Sequence, residues 1–367
     1  MKRIAVLTCG RSDFSIYLPL LKFLEKSNDF DLSIIAFGTH TSHHHGYSLN
    51  LIKKEGFKNI IPIDMLLSDD TQESVSASMG LAQIKMASLW SNSNFNLVIC
   101  LGDRYEMFAA VASLIPFNIK IAHLHGGEKT LGAIDNSFRH AITSMSDIHL
   151  TSCEVHKDRV KEIVESEISH AVYNVGSLAL QNLTSMSLMT KDEFYNDFGC
   201  DLNIPTILCT YHPETKDLAV NLQHTSELIK FFNKTTYQIL ITLPNNDSMG
   251  SSIREMFINH SHENDRLYVY DYLGTKGYYS AMKHANFMIG NSSSGIIEAA
   301  SFGCYVIDIG NRQKGRQCSN NVINIDCKND NITSAVSQIE SMGEYSGTNI
   351  YFQENTLKKI IEIITNS

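Results

Sequence analysis

Short apolar runs alternate along this chain with longer segments in which apolar residues recur about every 3.6 positions. In the first half, residues 4–8, 32–37, 97–101 and 119–123 read as buried strands, and residues 18–26, 49–55, 74–90 and 106–114 as helices. The pattern restarts after residue 173. Strands are expected at 206–210, 238–243, 267–270, 287–289 and 305–309, with helices near 218–232, 252–258, 277–283 and 294–302. Residues 354–365 form a last, amphipathic helix. Such alternation predicts parallel sheets wrapped by helices. We expect an α/β protein of two similar halves: residues 1–172, residues 173–350, and a C-terminal helix, 351–367, that returns to the first half. Ligands of such sheets bind beyond the strand C-termini, so two facing halves would enclose a central cleft.

Composition narrows the picture. A chain of 367 residues with 43% apolar and 19% charged content suits two packed domains. The net charge of −9 argues against a nucleic-acid groove, which concentrates Lys and Arg on one face. Eight cysteines without a CxxC pair read as reduced core residues. The apolar stretch after Met1 is too short for a targeting segment, and no run is long enough to span a membrane. A cytoplasmic location is expected.

The polar clusters fall just after the expected strands. Gly290-Asn-Ser-Ser-Ser-Gly295 follows an apolar run and leads into a helix, gathering backbone N–H groups and hydroxyls into an anion site. It lacks the lysine of a phosphate-binding loop, and Glu298 one turn on suits a ribose diol better than a phosphate. A sugar nucleotide is the first ligand class to consider, and an ordinary serine-rich helix cap the alternative. After the first strand, Gly10-Arg-Ser-Asp-Phe-Ser15 offers Arg11 to an anion and Ser15 to a phosphate or a helix start; Arg11 pairing a nearby carboxylate is the other reading. No Gly-x-Gly-x-x-Gly fingerprint occurs there, which disfavours nicotinamide and flavin cofactors, and no cofactor is expected.

Four histidines crowd residues 38–46 without ligand-spaced partners, so no metal site is expected; His40, nearest the strand end, is aimed at a ligand. Gly102-Asp-Arg-Tyr-Glu106 offers Asp103 for chemistry and Arg104 for a phosphate, or else a capping Asp beside an exposed Arg. Residues 123–135 bring His123, His125, Glu128 and Asp135 together around two glycines, as proton transfer requires. Arg139 and His140 continue on a helical pattern and read equally as structural or functional. In the second half, His212 beside Pro213 can bond a phosphate or serve as an acid. Asn245 and Asn246 suit polar ligand edges, and Arg312 leads a basic loop.

Taken together, the motifs Gly10–Ser15, Gly102–Glu106, His123–Glu128, His212–Thr215, Gly290–Gly295 and Gly310–Arg316 closely resemble the UDP-N-acetylglucosamine 2-epimerases, in order and spacing, over nearly the whole length. The likeness is greatest to the hydrolysing branch, in sialic-acid and legionaminic-acid synthesis. It implies two Rossmann-like domains of glycosyltransferase-B type, with Arg11, Ser15, Arg104, His212, Asn245, Ser292, Ser293, Glu298 and Arg312 on UDP-binding positions. The phosphates would lie on Ser292 and Ser293, the ribose on Glu298 and the uracil near Asn245.

By the same resemblance UDP is eliminated from C1 after loss of the C2 proton, leaving a 2-acetamidoglucal that water then attacks. Asp103, His125, Glu128 and Asp135 are the acid/base candidates, with His40 near the sugar. Many relatives carry Glu where His125 stands, so His125, Glu128 or a bridging water must take over that carboxylate's task. The implied reaction converts UDP-N-acetylglucosamine to N-acetylmannosamine and UDP; a UDP-2,4-diacetamido-2,4,6-trideoxyhexose as substrate, or an epimerase that keeps UDP attached, are the alternatives. A homo-oligomer, dimer or tetramer, is the usual state of such families.

Overall fold

The computed structural model describes residues 1–67, 71–131, 134–164, 171–214, 217–244 and 250–367. The chain forms two compact units: Met1–Glu128 with Asp135–Thr184 and Tyr351–Ser367, and Lys129–Ile134 with Ser185–Ile350. The expected boundary after residue 172 falls inside a strand, Val172–Asn174, and the first unit runs on to Thr184.

The first unit holds β1 (Lys2–Thr8), β2 (Phe30–Phe37), β3 (Ile60–Ile63), β4 (Leu97–Leu101), β5 (Lys120–Leu124), β6 (Ile148–Thr151) and β7 (Val172–Asn174). They lie in the order β3-β2-β1-β4-β5-β6-β7, and every pairing is parallel. β4 reads Leu-Val-Ile-Cys-Leu and is buried throughout, because helices cover both faces of the sheet. Those helices are α1 (Arg11–Lys26), α2 (Leu49–Lys54), α3 (Gln72–Ser91), α4 (Tyr105–Ala112), α5 (Asp135–Ser144), α6 (Glu154–Ile163) and α7 (Leu178–Ser185).

α1 starts seven residues earlier than its apolar spacing predicts. The buried carboxylate of Asp13 accepts the backbone N–H groups of Cys9 (2.7 Å), Gly10 (2.9 Å) and Phe14 (3.0 Å), so the helix begins at the strand end. Pro19 inside it removes one helical donor, and the helix runs through it to Lys26.

The second unit contains α8 (Lys191–Phe198), β8 (Thr206–Thr210), α9 (Val220–Lys234), β9 (Gln238–Thr242), α10 (Gly250–Ser261), β10 (Leu267–Tyr270), α11 (Gly274–His284), β11 (Phe287–Gly290), α12 (Ser293–Ile297), β12 (Tyr305–Ile309), β13 (Val322–Ile325) and α13 (Asn329–Met342). Its sheet runs β10-β9-β8-β11-β12-β13, again all parallel. Both sheets are Rossmann-like: strand order reverses between β1 and β4 in one and between β8 and β11 in the other. Loops that leave the strands on either side of such a reversal diverge and make room for a ligand.

The last helix, α14 (Thr356–Asn366), belongs to the first unit, where Ile360 and Ile364 enter the core beside β1. Full burial of two such side chains contributes about 1.5–3 kcal/mol each. Thr356 Oγ1 donates to the Val175 carbonyl at 2.7 Å and Lys2 Nζ to the Ile364 carbonyl at 2.7 Å.

Candidate active site

In the first unit the loops beyond β4, β5 and β6 converge. Arg139, on the inner face of α5, has a side chain only 2% exposed, and its guanidinium joins two loops. One nitrogen bonds the Asp103 carboxylate and the other the Glu128 carbonyl at 2.9 Å. Burying a guanidinium is favourable only when it is paired. Arg139 therefore holds the β4 and β5 loops together, a role the sequence left undecided because its partners lie 36 and 11 positions away.

His125 and Glu128 form the second pair. His125 Nδ1 lies 3.0 Å from Glu128 Oε1, with the two side chains 8% and 1% exposed. A carboxylate at that position accepts, so Nδ1 carries the proton and Nε2 is the basic nitrogen. Nε2 is buried and has no hydrogen-bond partner among the described residues. His125 also adopts φ +64°, a backbone conformation costly for a non-glycine residue. A buried basic nitrogen on a strained loop suits a group held ready for a reacting proton.

His123 is structural instead. Its Nε2 bonds the Gly102 carbonyl at 2.9 Å, its Nδ1 lies 3.3 Å from Thr143 Oγ1, and burial lowers its pKa to about 3. It stays neutral and ties the β4 loop to α5.

Asp135 stands half-buried at the first position of α5, close enough to Glu106 to raise that carboxyl. Arg104, assigned to a phosphate by resemblance, grips Glu106 through two bonds of 3.1 Å. Burial raises the Glu106 carboxyl even though Arg104 beside it pulls the other way. Much of that arginine's charge is thus engaged within its own loop.

His40 is fully buried rather than aimed at a ligand. Thr8 Oγ1 lies 2.9 Å from its Nε2 and Ser48 Oγ 2.8 Å from its Nδ1, and burial lowers its pKa. Both ring nitrogens are occupied, so His40 fastens β1 to the segment after β2. Arg11 is exposed and Ser15 half-buried on the first turn and a half of α1.

The second unit gathers neutral donors. Gly290 sits at φ +138°, where an added Cβ would lie 2.0 Å from the Thr210 carbonyl oxygen, so only glycine lets β11 turn against β8. Asn291 then mimics a backbone. Its Oδ1 accepts the His212 N–H at 2.7 Å and its Nδ2 donates to the His212 carbonyl at 2.8 Å, which fixes the β8 loop. Its own carbonyl accepts from Arg312 at 2.9 Å and Gln313 at 2.7 Å, which fixes the β12 loop.

A file of hydroxyls runs beside this clamp. Thr242 Oγ1 lies 2.5 Å from Thr210 Oγ1, Thr210 3.3 Å from Tyr278, Tyr278 2.6 Å from Ser294, and Ser294 2.9 Å from Ser292. Ser292 caps α12, Ser293 is its half-buried first residue, and Glu298 is its buried C-cap. The structure brings His212, Ser292, Ser293, Glu298 and Arg312 to one end of one sheet. Asn245 and Asn246 lie outside the described residues.

Asn291 and Gln313 were missed as site-builders, and so was Tyr278. Asn291 had a signal, an amide directly after the turn glycine. Among the described residues no helix is long and apolar enough to cross a membrane, and no group of three or more His, Cys, Asp or Glu is placed to hold a metal.

Two Rossmann-like units with these loops define the glycosyltransferase-B type of fold. A model of the family "UDP-N-acetylglucosamine 2-epimerase" matches residues 22–365, and the chain belongs to that family. The chain is 35% identical over 346 residues to the GDP/UDP-N,N'-diacetylbacillosamine 2-epimerase (hydrolyzing) of Campylobacter jejuni, covering 93% of this chain and 88% of that one. It is 31% identical over 367 residues to the UDP-N,N'-diacetylbacillosamine 2-epimerase (hydrolyzing) of Legionella pneumophila, covering 99% and 96%. Among solved structures, the UDP-GlcNAc 2-epimerase of Neisseria meningitidis bound to UDP-GlcNAc superposes with a TM-score of 0.82 at 16% identity, over 100% of both chains.

Proposed function

We propose that this chain is a hydrolysing UDP-sugar 2-epimerase acting on a UDP-linked 2-acetamido hexose. The observation that carries the reading is the His125–Glu128 pair, which presents a buried basic nitrogen on a loop that Arg139, itself paired with Asp103, holds through the Glu128 carbonyl. His125 Nε2 takes the C2 proton, with Glu128 stabilising the imidazolium that results. The electron pair forms the C1–C2 double bond as the C1–oxygen bond breaks and UDP departs, leaving a 2-acetamidoglucal. Water then adds across that bond, hydroxyl to C1 and proton to the opposite face of C2, and Asp103 and Asp135 are the groups assigned to this second transfer. Arg11, Ser15, Arg104, His212, Ser292, Ser293, Glu298 and Arg312 hold UDP, and Asn245 completes the set.

The substrate we favour is the UDP-linked 2,4-diacetamido-2,4,6-trideoxyhexose, because the relatives at 35% and 31% identity carry that sugar in their names. UDP-N-acetylglucosamine, giving N-acetylmannosamine, is the second reading. A relative named UDP-N-acetylglucosamine 2-epimerase is 28% identical over 100% of this chain. Side-by-side turnover of the two nucleotide sugars by purified protein decides the order. UDP release from the diacetamido sugar should exceed that from UDP-N-acetylglucosamine by at least about tenfold in kcat/KM. The reverse ratio selects the second reading, and no UDP from either sugar removes both.

A further inference from the structure

The His125–Glu128 pair is one end of a longer hydrogen-bonded line. Ser152 Oγ donates to Glu128 Oε1 at 2.9 Å, and His156 Nδ1 lies 3.0 Å behind Ser152 Oγ. Once the serine hydroxyl gives its proton to the carboxylate, its oxygen can only accept, so His156 donates from Nδ1 and its tautomer is set. Ser152 and His156 are both fully buried. The same helix, α6, holds the Glu128 loop in two further places. Gly127 is at φ +79°, and a Cβ there would fall 2.4 Å from the His156 carbonyl oxygen, while the Arg159 guanidinium bonds the Gly127 carbonyl.

We infer that Ser152 and His156 are positioning residues for the reaction, holding the Glu128 carboxylate in the ionised form and orientation that keep the proton of His125 on Nδ1. The inference rests on the proposed role of His125 as base. Without the serine hydroxyl the ionised pair loses a donor to its negative charge, and the pair as a whole takes up a proton more readily. The other charged or titratable groups packed around it are His123 from β5, Arg139 from α5, His149 from β6, Cys153 at the start of α6, and Arg159 within α6. Burial keeps His123 and His149 neutral, with values near 3 and 4, and lifts Cys153 to about 11. None of these three titrates near neutrality.

The test is the pH–rate profile of UDP release by the intact chain and by Ser152→Ala, His156→Leu and His156→Asn, with thermal unfolding followed in parallel. Ser152→Ala should move the acid limb of kcat up by about one pH unit and lower kcat at pH 7 about tenfold, with KM changed less than about twofold. His156→Leu should move the limb the same way by less, and His156→Asn, whose amide N–H replaces Nδ1–H, should restore the parent profile. An acid limb that stays in place in Ser152→Ala while the melting temperature falls overturns the inference and leaves only a structural role. Equal losses in both His156 variants remove that histidine from it. If the unsubstituted chain releases no UDP, the proposed function fails instead, and the two failures are distinct.

Discussion

The two units solve the same topological problem with opposite chemistry. Beyond β4, β5 and β6 the first unit collects charges and pairs them with one another: Asp103 with Arg139, Glu106 with Arg104, Glu128 with His125. Beyond β8, β9, β11 and β12 the second unit collects mostly neutral groups, the hydroxyls from Thr242 to Ser292 and the amides of Asn291 and Gln313, with Arg312 bonded to the Asn291 carbonyl and Glu298 buried after α12. Paired titratable groups can exchange protons with a substrate, whereas hydroxyls and amides bind at any ordinary pH without doing so. The contrast supports chemistry in the first unit and nucleotide recognition in the second. It also gives Arg139 and Asn291 similar jobs: Arg139 joins two loops through its buried guanidinium, and Asn291 joins two through its side-chain amide and its own carbonyl.

Substitutions in the two units should therefore fail differently. The largest effect is expected for Asp103→Asn, which should cut turnover by about 10² or more while UDP affinity stays within about twofold of the parent. Steady-state kinetics with UDP titration checks this, and unchanged turnover would take Asp103 out of the chemistry. Asn291→Ala should do the reverse. It removes the side-chain bonds that hold the half-buried His212 N–H and C=O and so loosens the β8 loop, and UDP affinity should fall about tenfold or more by calorimetry. Gly290→Ala forces a Cβ into the Thr210 carbonyl at positive φ, and denaturant unfolding should show a loss of about 3 kcal/mol or more.

A smaller effect concerns Asp308, buried at the end of β12. Burial lifts its pKa to about 7, although Arg312 and Arg316 pull it down. Between its unfolded value near 4 and about 7, the folded state binds more protons than the unfolded state. Its contribution to stability is thus complete below pH 4 and is lost as pH rises through 7. Asp308→Asn should flatten that part of the stability–pH curve and gain on the parent above pH 7, as urea midpoints across pH 4 to 8 would show; a parallel pair of curves would refute the assignment.

The sheets were legible because central strands such as Leu97–Leu101 and Phe287–Gly290 are short runs without a polar side chain that burial on both faces explains. The strands that escaped were β3, β6, β7 and β13. They are three or four residues long, and most are interrupted by Pro62, His149 or Asn324, so their pairing is fixed by neighbours and not by their own pattern. Candidate site residues standing directly after strands were readable because α/β sheets place ligands there. Arg139, Ser152 and His156 were not, since their meaning lies in partners on other elements. His40 misled because position after a strand says nothing about whether both ring nitrogens are already bonded. The identity of the sugar is unreadable from these motifs, which speak to UDP and to C2 and not to the groups on C4 and C6.

The division of labour is tested most directly by running the reaction in deuterium oxide with UDP-N,N'-diacetylbacillosamine and following free UDP and the C2 position of the sugar together. Proton removal by the first unit with loss of UDP predicts one free UDP for each reducing sugar released, with deuterium at C2 of that sugar. A C2-inverted sugar still joined to UDP, or a released sugar that keeps its original C2 hydrogen, would contradict it.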